Sequence, residues 1–346
     1  MEIGNQIKQL RLRRGITQEA MAQHFGITAQ AVSKWERGAA TPDIGMLPEL
    51  SAYFGVTIDE LFALSDETRM DRIQNMIWDV RYFDPAQVAS ERTFLLEKGK
   101  REPENDKVYE LLAEIELHLA LEHRHLAEDY AKEALCRNPA SKPAHADLVE
   151  AMGGRFGDWY VSNHLRLIDF YKEFVEAHPE VGRAYLWLMD HLLDAGRIEE
   201  ADAYCRRYQQ VDDTFRHLLY RGNVLWHKGE KDRAREVWAE MAETFPDDWM
   251  VFLNLGDISA RIGEYDQAKQ YYKKAIHIQS APRFTDAYES IAQVCELQGN
   301  FQEAIDVLKV ELEVMRTEWN VTSGETMDVV LRSITRLEQK QKKQAN

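Results

Sequence analysis

Six polar side chains near the N-terminus have the types and the spacing to make specific hydrogen bonds to another molecule. They are Gln18, Thr28, Gln30, Ser33, Lys34 and Arg37. A glutamine amide can pair with two groups on the edge of adenine, and a lysine can donate to guanine acceptors or to a phosphate. Hydroxyl and guanidinium groups suit phosphate oxygens, which position a protein without reading sequence. If helices present these side chains on one surface, they would suit a nucleic-acid partner.

Short helices are predicted around these residues. Apolar spacing and glycine stops predict helices over about 2–14, 19–25 and 29–37, the last two joined by about three residues around a glycine. Such a pair is what a helix-turn-helix requires. Two further helices near 44–54 and 58–61 would complete a five-helix core. The apolar residues expected between the helices are Ala20, Ile27, Val32 and Trp35.

Some of these residues also have a structural interpretation. Thr17 and Thr28 stand where helix N-caps are expected, whatever else they contact. Trp35 is expected in the core. The sequence gives no structural reason for a glutamine at position 18 or 30. A functional interpretation is therefore favoured for Gln18 and Gln30.

The segment 3–62 resembles the phage-repressor type of helix-turn-helix, also called the xenobiotic-response-element family. The matching residues are Thr17-Gln18-Glu19, Gly26, Val32-Ser33-Lys34-Trp35-Glu36-Arg37-Gly38 and Asp59-Glu60-Leu61. The resemblance implies that Gln18 contacts phosphate, and that Arg11 pairs with Glu36 rather than touching DNA. The DNA contacts expected are Gln18, Thr28, Ala29, Gln30, Ser33, Lys34 and Arg37, with Ala29 offering only a methyl group.

A repeat of about 34 residues organises the second half of the chain. It is marked by Gly196, Gly229, Gly263 and Gly299, spaced 33, 34 and 36 residues apart. An alanine follows each glycine by five residues, and the residue seven before it is small in three of the four cases. This pattern predicts paired antiparallel helices and resembles the tetratricopeptide repeat, best over 182–313.

Less regular copies are expected before these four. Residues 107–139 predict a helix pair with a two-residue insertion, and 144–179 predict another with a distorted middle at 152–158. A polar capping helix is expected at about 325–342. The fold class predicted is all-α, with a five-helix helix-turn-helix domain followed by a tetratricopeptide-repeat α-solenoid. The domains predicted are 1–64, the helix-turn-helix; 65–106, a linker or degenerate helical pair; 107–313, the repeat array; and 314–346, the capping helix and tail.

A concave groove lined by the first helix of each repeat is expected to hold a partner. The candidate groove residues are Arg183, Trp187, Asp190, Arg216, Asn223, Trp226, Asp257, Arg261 and Gln293. Asn223 could bond a peptide backbone, the arginines could bind carboxylates, and the tryptophans could anchor side chains. Each of these residues also has the alternative of simple packing or solvation.

Composition limits the remaining function classes. The net charge is −16, but residues 1–64 contribute only −1 of it, so the acidic excess does not exclude a DNA-binding face. Three separated cysteines and the lack of a hydrophobic leader favour a reducing, cytoplasmic location, with the cysteines buried. His123 and His125 lie two residues apart and cannot share a helical face. We therefore expect no metal, no cofactor, no membrane contact and no enzyme.

Two functional hypotheses follow from this layout. The first is a sequence-specific transcriptional regulator whose repeat domain binds a peptide or protein signal, mediates dimerisation, or does both. The module order resembles the peptide-responsive quorum-sensing regulators of Gram-positive bacteria, which implies a homodimer on operator DNA. The second is a scaffold or antitoxin-like adaptor whose repeats bind a protein, with DNA binding secondary.

Overall fold

The computed structural model describes residues 3–62, 65–154 and 158–345. Within these residues every regular element is helical, as the all-α prediction requires. The expected start of the first helix at Glu2 lies outside the described residues, and so do residues 155–157 of the predicted distortion at 152–158.

Five short helices form the first domain, as predicted. They are α1 (Ile3–Arg13), α2 (Gln18–His24), α3 (Ala29–Glu36), α4 (Leu47–Phe54) and α5 (Ile58–Phe62), with a 3₁₀ turn at Ile44–Met46. The hydroxyl oxygen of Thr17 accepts from the N–H of Ala20, and that of Thr28 accepts from the N–H of Ala31, each at 3.1 Å. The expected caps are therefore confirmed, and they fix where α2 and α3 begin.

The core of this domain is apolar and closed. Its fully buried side chains include Ile7, Met21, Val32 and Leu50, and Trp35 is 6% exposed. The expectation that Ala20 lies between the helices is wrong. Met21 and Ala22 occupy the inward side of α2, which leaves Ala20 facing solvent.

Three longer helices follow: α6 (Asp66–Asp79), α7 (Pro85–Arg101) and α8 (Asp106–Arg137). The predicted helix pair over 107–139 is wrong, because α8 is one continuous helix of 32 residues. Its sequence contains neither glycine nor proline, and it is rich in Ala, Leu and Glu. Since these residues favour helix and nothing interrupts them, no turn forms where the repeat pattern suggested one.

Contacts divide the chain into two units, which are described separately. One unit comprises residues 1–78 and 82–119, and the other comprises residues 79–81 and 120–346. In the first unit, α6 and α7 are joined through Glu91, whose buried carboxylate accepts from Arg69 at 2.7 Å and from Arg72 at 3.1 Å. Paired in this way, the charge of Glu91 is tolerated in the interior.

In its described residues the second unit continues through ten helices of up to 14 residues and then two longer ones. The helices are α9 (Lys142–Ala151), α10 (Trp159–Ser162), α11 (Leu165–Ala177), α12 (Gly182–Asp194), α13 (Ile198–Tyr208), α14 (Arg216–His227), α15 (Lys231–Thr244), α16 (Trp249–Arg261), α17 (Tyr265–Ile278), α18 (Asp286–Leu297), α19 (Phe301–Glu318) and α20 (Glu325–Ala345). The four glycines of the repeat stand between the helices of four successive pairs, with φ from +72° to +85°. Only glycine adopts this left-handed conformation without strain, which explains why it marks each turn.

In three of the four pairs a small residue on the first helix is followed sixteen positions later by a larger one on the second helix, whereas Met189 and Cys205 occupy these positions in the first pair. A Cβ on Gly222 would lie 2.1 Å from Trp238 Nε1, and one on Gly256 would lie 2.4 Å from a ring carbon of Tyr272. In the last pair Ala292 and Leu308 occupy these positions, and all of these residues are buried. The combined volume of the two side chains at these positions is therefore similar in each pair, but its distribution between the two helices differs.

Two of the three cysteines lie in the helical core. Cys205 and Cys295 are buried as expected, but the expectation is wrong for Cys136, which is exposed on α8. Among the described residues, no helix combines the length and the apolar character needed to cross a membrane.

We predict that Gly222→Ala destabilises the repeat domain by about 1–3 kcal/mol, because the added methyl group overlaps the Trp238 ring. Urea unfolding of the full chain measures the change. In a Trp238→Leu background the same substitution should cost much less, since the smaller side chain leaves room. Equal costs in both backgrounds would contradict the packing argument.

Candidate nucleic-acid interface and repeat groove

Helix α3 divides its residues between the core and the surface. Val32, Trp35 and Glu36 are buried, whereas Gln30 and Lys34 are exposed on the other side. At 3.6 residues per turn these two exposed residues lie about 40° apart around the helix axis. The exposed side of α3 therefore presents an amide and a cation together, with no buried partner for either.

The other predicted DNA-contact residues differ in their exposure and in the hydrogen bonds they already make. Thr28 and Arg37 are exposed, and Arg37 Nε donates to the carbonyl of Ser33 at 3.1 Å. Ser33 is half-buried, and Ala29 packs partly against the core of the domain. The Thr28 hydroxyl accepts a hydrogen bond as a cap, which leaves its own proton for a phosphate oxygen.

A buried ion pair holds α3 against α1. Arg11 donates from Nε and Nη2 to the two carboxylate oxygens of Glu36, at 2.5 and 2.9 Å, and from Nη1 to the carbonyl of Ile16. The two charged side chains are 9% and 2% exposed. The bidentate geometry fixes direction as well as distance. The structural interpretation of Arg11 is thus confirmed, and its guanidinium is fully engaged within the domain.

Gln18 completes this network. Its Nε2 donates to Glu36 Oε2 at 2.7 Å, which joins the first turn of α2 to the last turn of α3. The expectation that folding demands no glutamine at this position is wrong. No local pattern could have indicated this bond, because the two residues are eighteen positions apart and meet only in the folded domain.

The network sets the ionisation of Glu36. Burial acts to raise the pKa of this carboxyl, but hydrogen bonds from Arg11 and Gln18 outweigh it, and the pKa lies below its ordinary value. The Glu36 carboxylate in turn raises the pKa of Arg11. Both charges are therefore present at neutral pH, as a buried pair requires.

We predict that Glu36→Gln destabilises the first domain by about 3–5 kcal/mol at neutral pH, because Arg11 is left buried without its counter-charge. Hydrogen exchange of α1, α2 and α3 in the full chain measures the loss. Glu49→Gln, an exposed glutamate in the same domain, is the matched control and should change little.

The same variant has a predicted pH dependence. Because the folded-state pKa of Glu36 is lowered, its stabilising effect is complete above the ordinary pKa and is lost as pH falls through the lowered value. The stability difference between wild type and Glu36→Gln should therefore shrink on acidification. A difference that stays constant down to acidic pH would contradict the ion-pair explanation.

A cavity of about 350 Å³ lies along α14 and α16 in the second unit. Five of the predicted groove residues line it: Asp190, Asn223, Trp226, Asp257 and Arg261. It is therefore large enough for one or two amino-acid side chains, at the lower end of the usual range for ligand sites.

Two carboxylates in this cavity are partly desolvated. Tyr220 donates its hydroxyl to Asp190, and Tyr272 donates to Asp257, each at 2.8 Å. Burial raises the pKa of both carboxyls despite these hydrogen bonds, and Arg261 acts in the opposite direction on both. The cavity thus combines carboxylates held by tyrosines with one nearby cation.

The remaining predicted groove residues lie elsewhere. Arg183 and Trp187 are exposed on α12 outside the cavity, and Gln293 lines a smaller cavity of about 240 Å³ beside α20. The guanidinium of Arg216 lies 4.8 Å from the ring of Phe215. These four residues are not brought together with the other five.

Sequence reasoning missed several cavity residues. Tyr220, Asn254 and Trp238 all line the cavity, and the ring centroid of Trp238 is 5.6 Å from that of Trp226. Trp238 Nε1 is buried without a hydrogen-bond partner among the described residues. The repeat spacing could have identified two of them, because Tyr220 and Asn254 occupy the same repeat position, three residues before the predicted groove residues Asn223 and Asp257. Trp238 therefore contributes its ring to the cavity wall, while its Nε1 lies against Gly222 inside the helix pair.

Metal binding finds no support in the described part of the chain, where no group of three or more His, Cys, Asp or Glu side chains is placed to hold an ion.

Comparison with known families gives two matches. Residues 7–61 match a helix-turn-helix family, and residues 170–214, 219–282 and 253–313 match a tetratricopeptide-repeat family. Both are non-enzymatic kinds of domain. The predicted arrangement of a helix-turn-helix domain followed by tetratricopeptide repeats is confirmed.

Two curated helix-turn-helix regulators are similar to a segment of this chain about as long as its first domain. The chain is 36% identical over 66 residues to the uncharacterized HTH-type transcriptional regulator y4dJ of Sinorhizobium fredii, covering 19% of this chain and 86% of that one. It is 40% identical over 63 residues to the HTH-type transcriptional activator BcrR of Enterococcus faecalis, covering 18% of this chain and 31% of that one. The chain thus spans about a third of the length of BcrR.

Two solved structures are similar to parts of the chain. One is a tetratricopeptide repeat protein from Parabacteroides merdae, with a TM-score of 0.40 and 13% identity, covering 79% of this chain and 98% of that one. Another is MamA, with a TM-score of 0.32 and 24% identity, covering 44% of this chain and 90% of that one.

Proposed function

We propose that this chain, which belongs to the helix-turn-helix family of transcriptional regulators, binds operator DNA as a dimer and receives a peptide signal in its repeat groove. The DNA-binding part rests on one observation above all. Helix α3 is locked to α1 and α2 by the Arg11–Glu36–Gln18 network while Gln30 and Lys34 stay exposed. A rigidly held helix with free polar side chains is what entry into the major groove needs.

The predicted contacts divide into two kinds. Gln30 reads a base edge, with Ser33 and Lys34 beside it and Ala29 offering a methyl contact. Thr28, Arg37 and Gln18 hold the backbone, where the N–H groups at the start of α2 also attract phosphate. Gln18 keeps a second side-chain N–H for this contact, since only one N–H is donated to Glu36.

We predict that Gln30→Ala lowers operator affinity by about 1–3 kcal/mol at one base-pair position and leaves the other positions unchanged. Selected-site sequencing of the bound DNA, followed by titration at fixed salt, measures this. Gln87→Ala on α7 is the control, since Gln87 is also exposed but lies outside the helix-turn-helix. An equal loss on unrelated sequences would make Gln30 a phosphate contact instead.

The repeat groove is proposed to bind a short peptide in the cavity along α14 and α16. Support comes from the mixture of groups that line it: an amide at Asn223 for a peptide backbone, Trp226 for an apolar side chain, and Asp190 and Asp257 for a cationic group. Arg183, Trp187, Arg216 and Gln293 would contribute only to a ligand that extends beyond this cavity.

We predict that Asn223→Ala weakens the peptide effect on operator binding by about tenfold, since two backbone hydrogen bonds are lost. The assay titrates pooled synthetic short peptides and peptide fractions of culture filtrate against operator binding by wild type and variant. Asp247→Ala, an exposed polar residue just before α16, serves as the control.

Two outcomes would count against the peptide proposal. If no peptide or filtrate fraction changes operator affinity or assembly, the sensing role is wrong. A protein captured in one-to-one ratio by the repeats, with only non-specific DNA affinity, would support the adaptor role instead.

A dimer completes the proposal. Two helix-turn-helix domains related by a two-fold axis would read half-sites about 34–36 Å apart, and peptide binding would shift the population between assemblies with different spacing.

A further inference from the structure

Helix α11 has two apolar sides, of which only one is covered. Ile168 and Val175 are fully buried against the repeat core. Leu167 and Phe170, on another side of the helix, are 44% and 56% exposed. Together with the partly buried Phe174 they form a stripe at positions i, i+3 and i+7, which we call the α11 stripe. Such spacing is typical of a helix face that packs against another helix.

The segment around the α11 stripe exposes an unusual amount of apolar surface. Trp159 and Tyr160 of α10 are 73% and 77% exposed, and Leu165 is 51% exposed. At about 150–250 Å² per aromatic side chain, Trp159, Tyr160 and Phe170 leave on the order of 300–500 Å² open to solvent. The exposed leucines and Val161 bring the total towards the roughly 800 Å² that each partner buries in a standard interface. So much exposed apolar surface within one short segment is typical of an interface.

The charges on α11 fall into two groups. Lys172 pairs with Glu200, and Glu176 pairs with Arg207, both on the neighbouring helix α13. Arg166 and Glu173 are exposed, and no described residue forms an ion pair with either of them. They are seven residues apart, so they lie on the same side of α11, directly beside the α11 stripe.

These two charges have the arrangement that a two-fold axis requires. If two copies of α11 pack antiparallel about an axis at Phe170, each copy presents Arg166 four residues before the axis and Glu173 three residues after it. Arg166 of one copy then comes within one residue, about 1.5 Å along the helix, of Glu173 of the other. The same contact occurs twice, because an isologous interface repeats every pair.

We propose that the α11 stripe is the surface on which a second copy of this chain docks, with the two α11 helices antiparallel and Arg166 paired with Glu173 across the interface. The inference deepens the proposed function, since it supplies the surface for the dimer that reads two half-sites. Self-complementarity favours a second copy over an unrelated partner. An unrelated protein would need neither opposite charges on one side of the stripe nor their placement on either side of its centre.

Sedimentation of the full chain without DNA tests the proposal, with wild type expected to be a dimer at micromolar concentration. Phe170→Glu should weaken the dimer by at least about a hundredfold, because it introduces a charge at the centre of the stripe. Leu297→Glu is the matched control: Leu297 is 68% exposed on α18, away from the α11 stripe, and its replacement should leave the dimer intact.

Charge reversal keeps the test independent of folding defects. Arg166→Glu and Glu173→Arg should each weaken the dimer by roughly tenfold, since each places like charges opposite one another twice. The double variant Arg166→Glu/Glu173→Arg restores both pairs and should return the dissociation constant to within about threefold of wild type.

Three results would overturn the proposal: a monomeric wild type at all accessible concentrations, a dimer insensitive to Phe170→Glu, or single-variant losses that the double variant does not restore. Operator titration of the same proteins separates this result from the proposed function. A dimer that behaves as expected but binds no DNA specifically refutes the regulator and leaves the interface standing. A monomer that still recognises a half-site through α3 refutes the interface and leaves DNA recognition by α3 standing.

Discussion

The presentation of α3 depends on one buried carboxylate. Glu36 is the last residue of α3 and its side chain is buried. A charge in that position is stable only if it is fully hydrogen-bonded. Arg11 supplies two donors and Gln18 a third. Since these donors belong to α1 and α2, satisfying one carboxylate fixes the relative placement of three helices. Because Arg11 and Gln18 supply the hydrogen bonds that the buried carboxylate requires, Gln30 and Lys34 are not needed inside the domain. Their side chains remain exposed on the opposite side of α3.

The repeat domain obeys a different constraint, which is volume. Gly222 faces Trp238 and Gly256 faces Tyr272, so a missing side chain on one helix is matched by a large ring on the other. This exchange also shapes the surface. The hydroxyl of Tyr272 reaches past Gly256 to Asp257, and the Trp238 ring closes one wall of the cavity. Packing inside the pairs thus determines which polar groups face the groove.

Local patterns predicted most of this architecture, and their failures have physical reasons. Glycine turns and threonine caps are local requirements of the backbone, so the helix pairs after residue 182 and the starts of α2 and α3 were predictable. Residues 107–139 also carry the apolar spacing of a pair, but a turn needs a breaker and α8 has none. The bond from Gln18 to Glu36 and the cavity at Trp238 depend on residues distant in sequence. The exposed Phe170 was equally unpredictable, because apolar spacing cannot distinguish a core from an interface.

The uneven distribution of charge along the chain affects how the proposed DNA binding can work. Almost all of the net charge of −16 lies beyond residue 64, while the first domain is close to neutral. An acidic body repels the phosphate backbone, which lowers non-specific DNA affinity. A protein with this distribution gains little from counter-ion release and must rely on base contacts. Two half-sites read together would double those contacts without adding positive charge. Dimerisation through an apolar stripe with balanced charges is therefore compatible with an acidic chain, whereas dimerisation through an acidic face would not be.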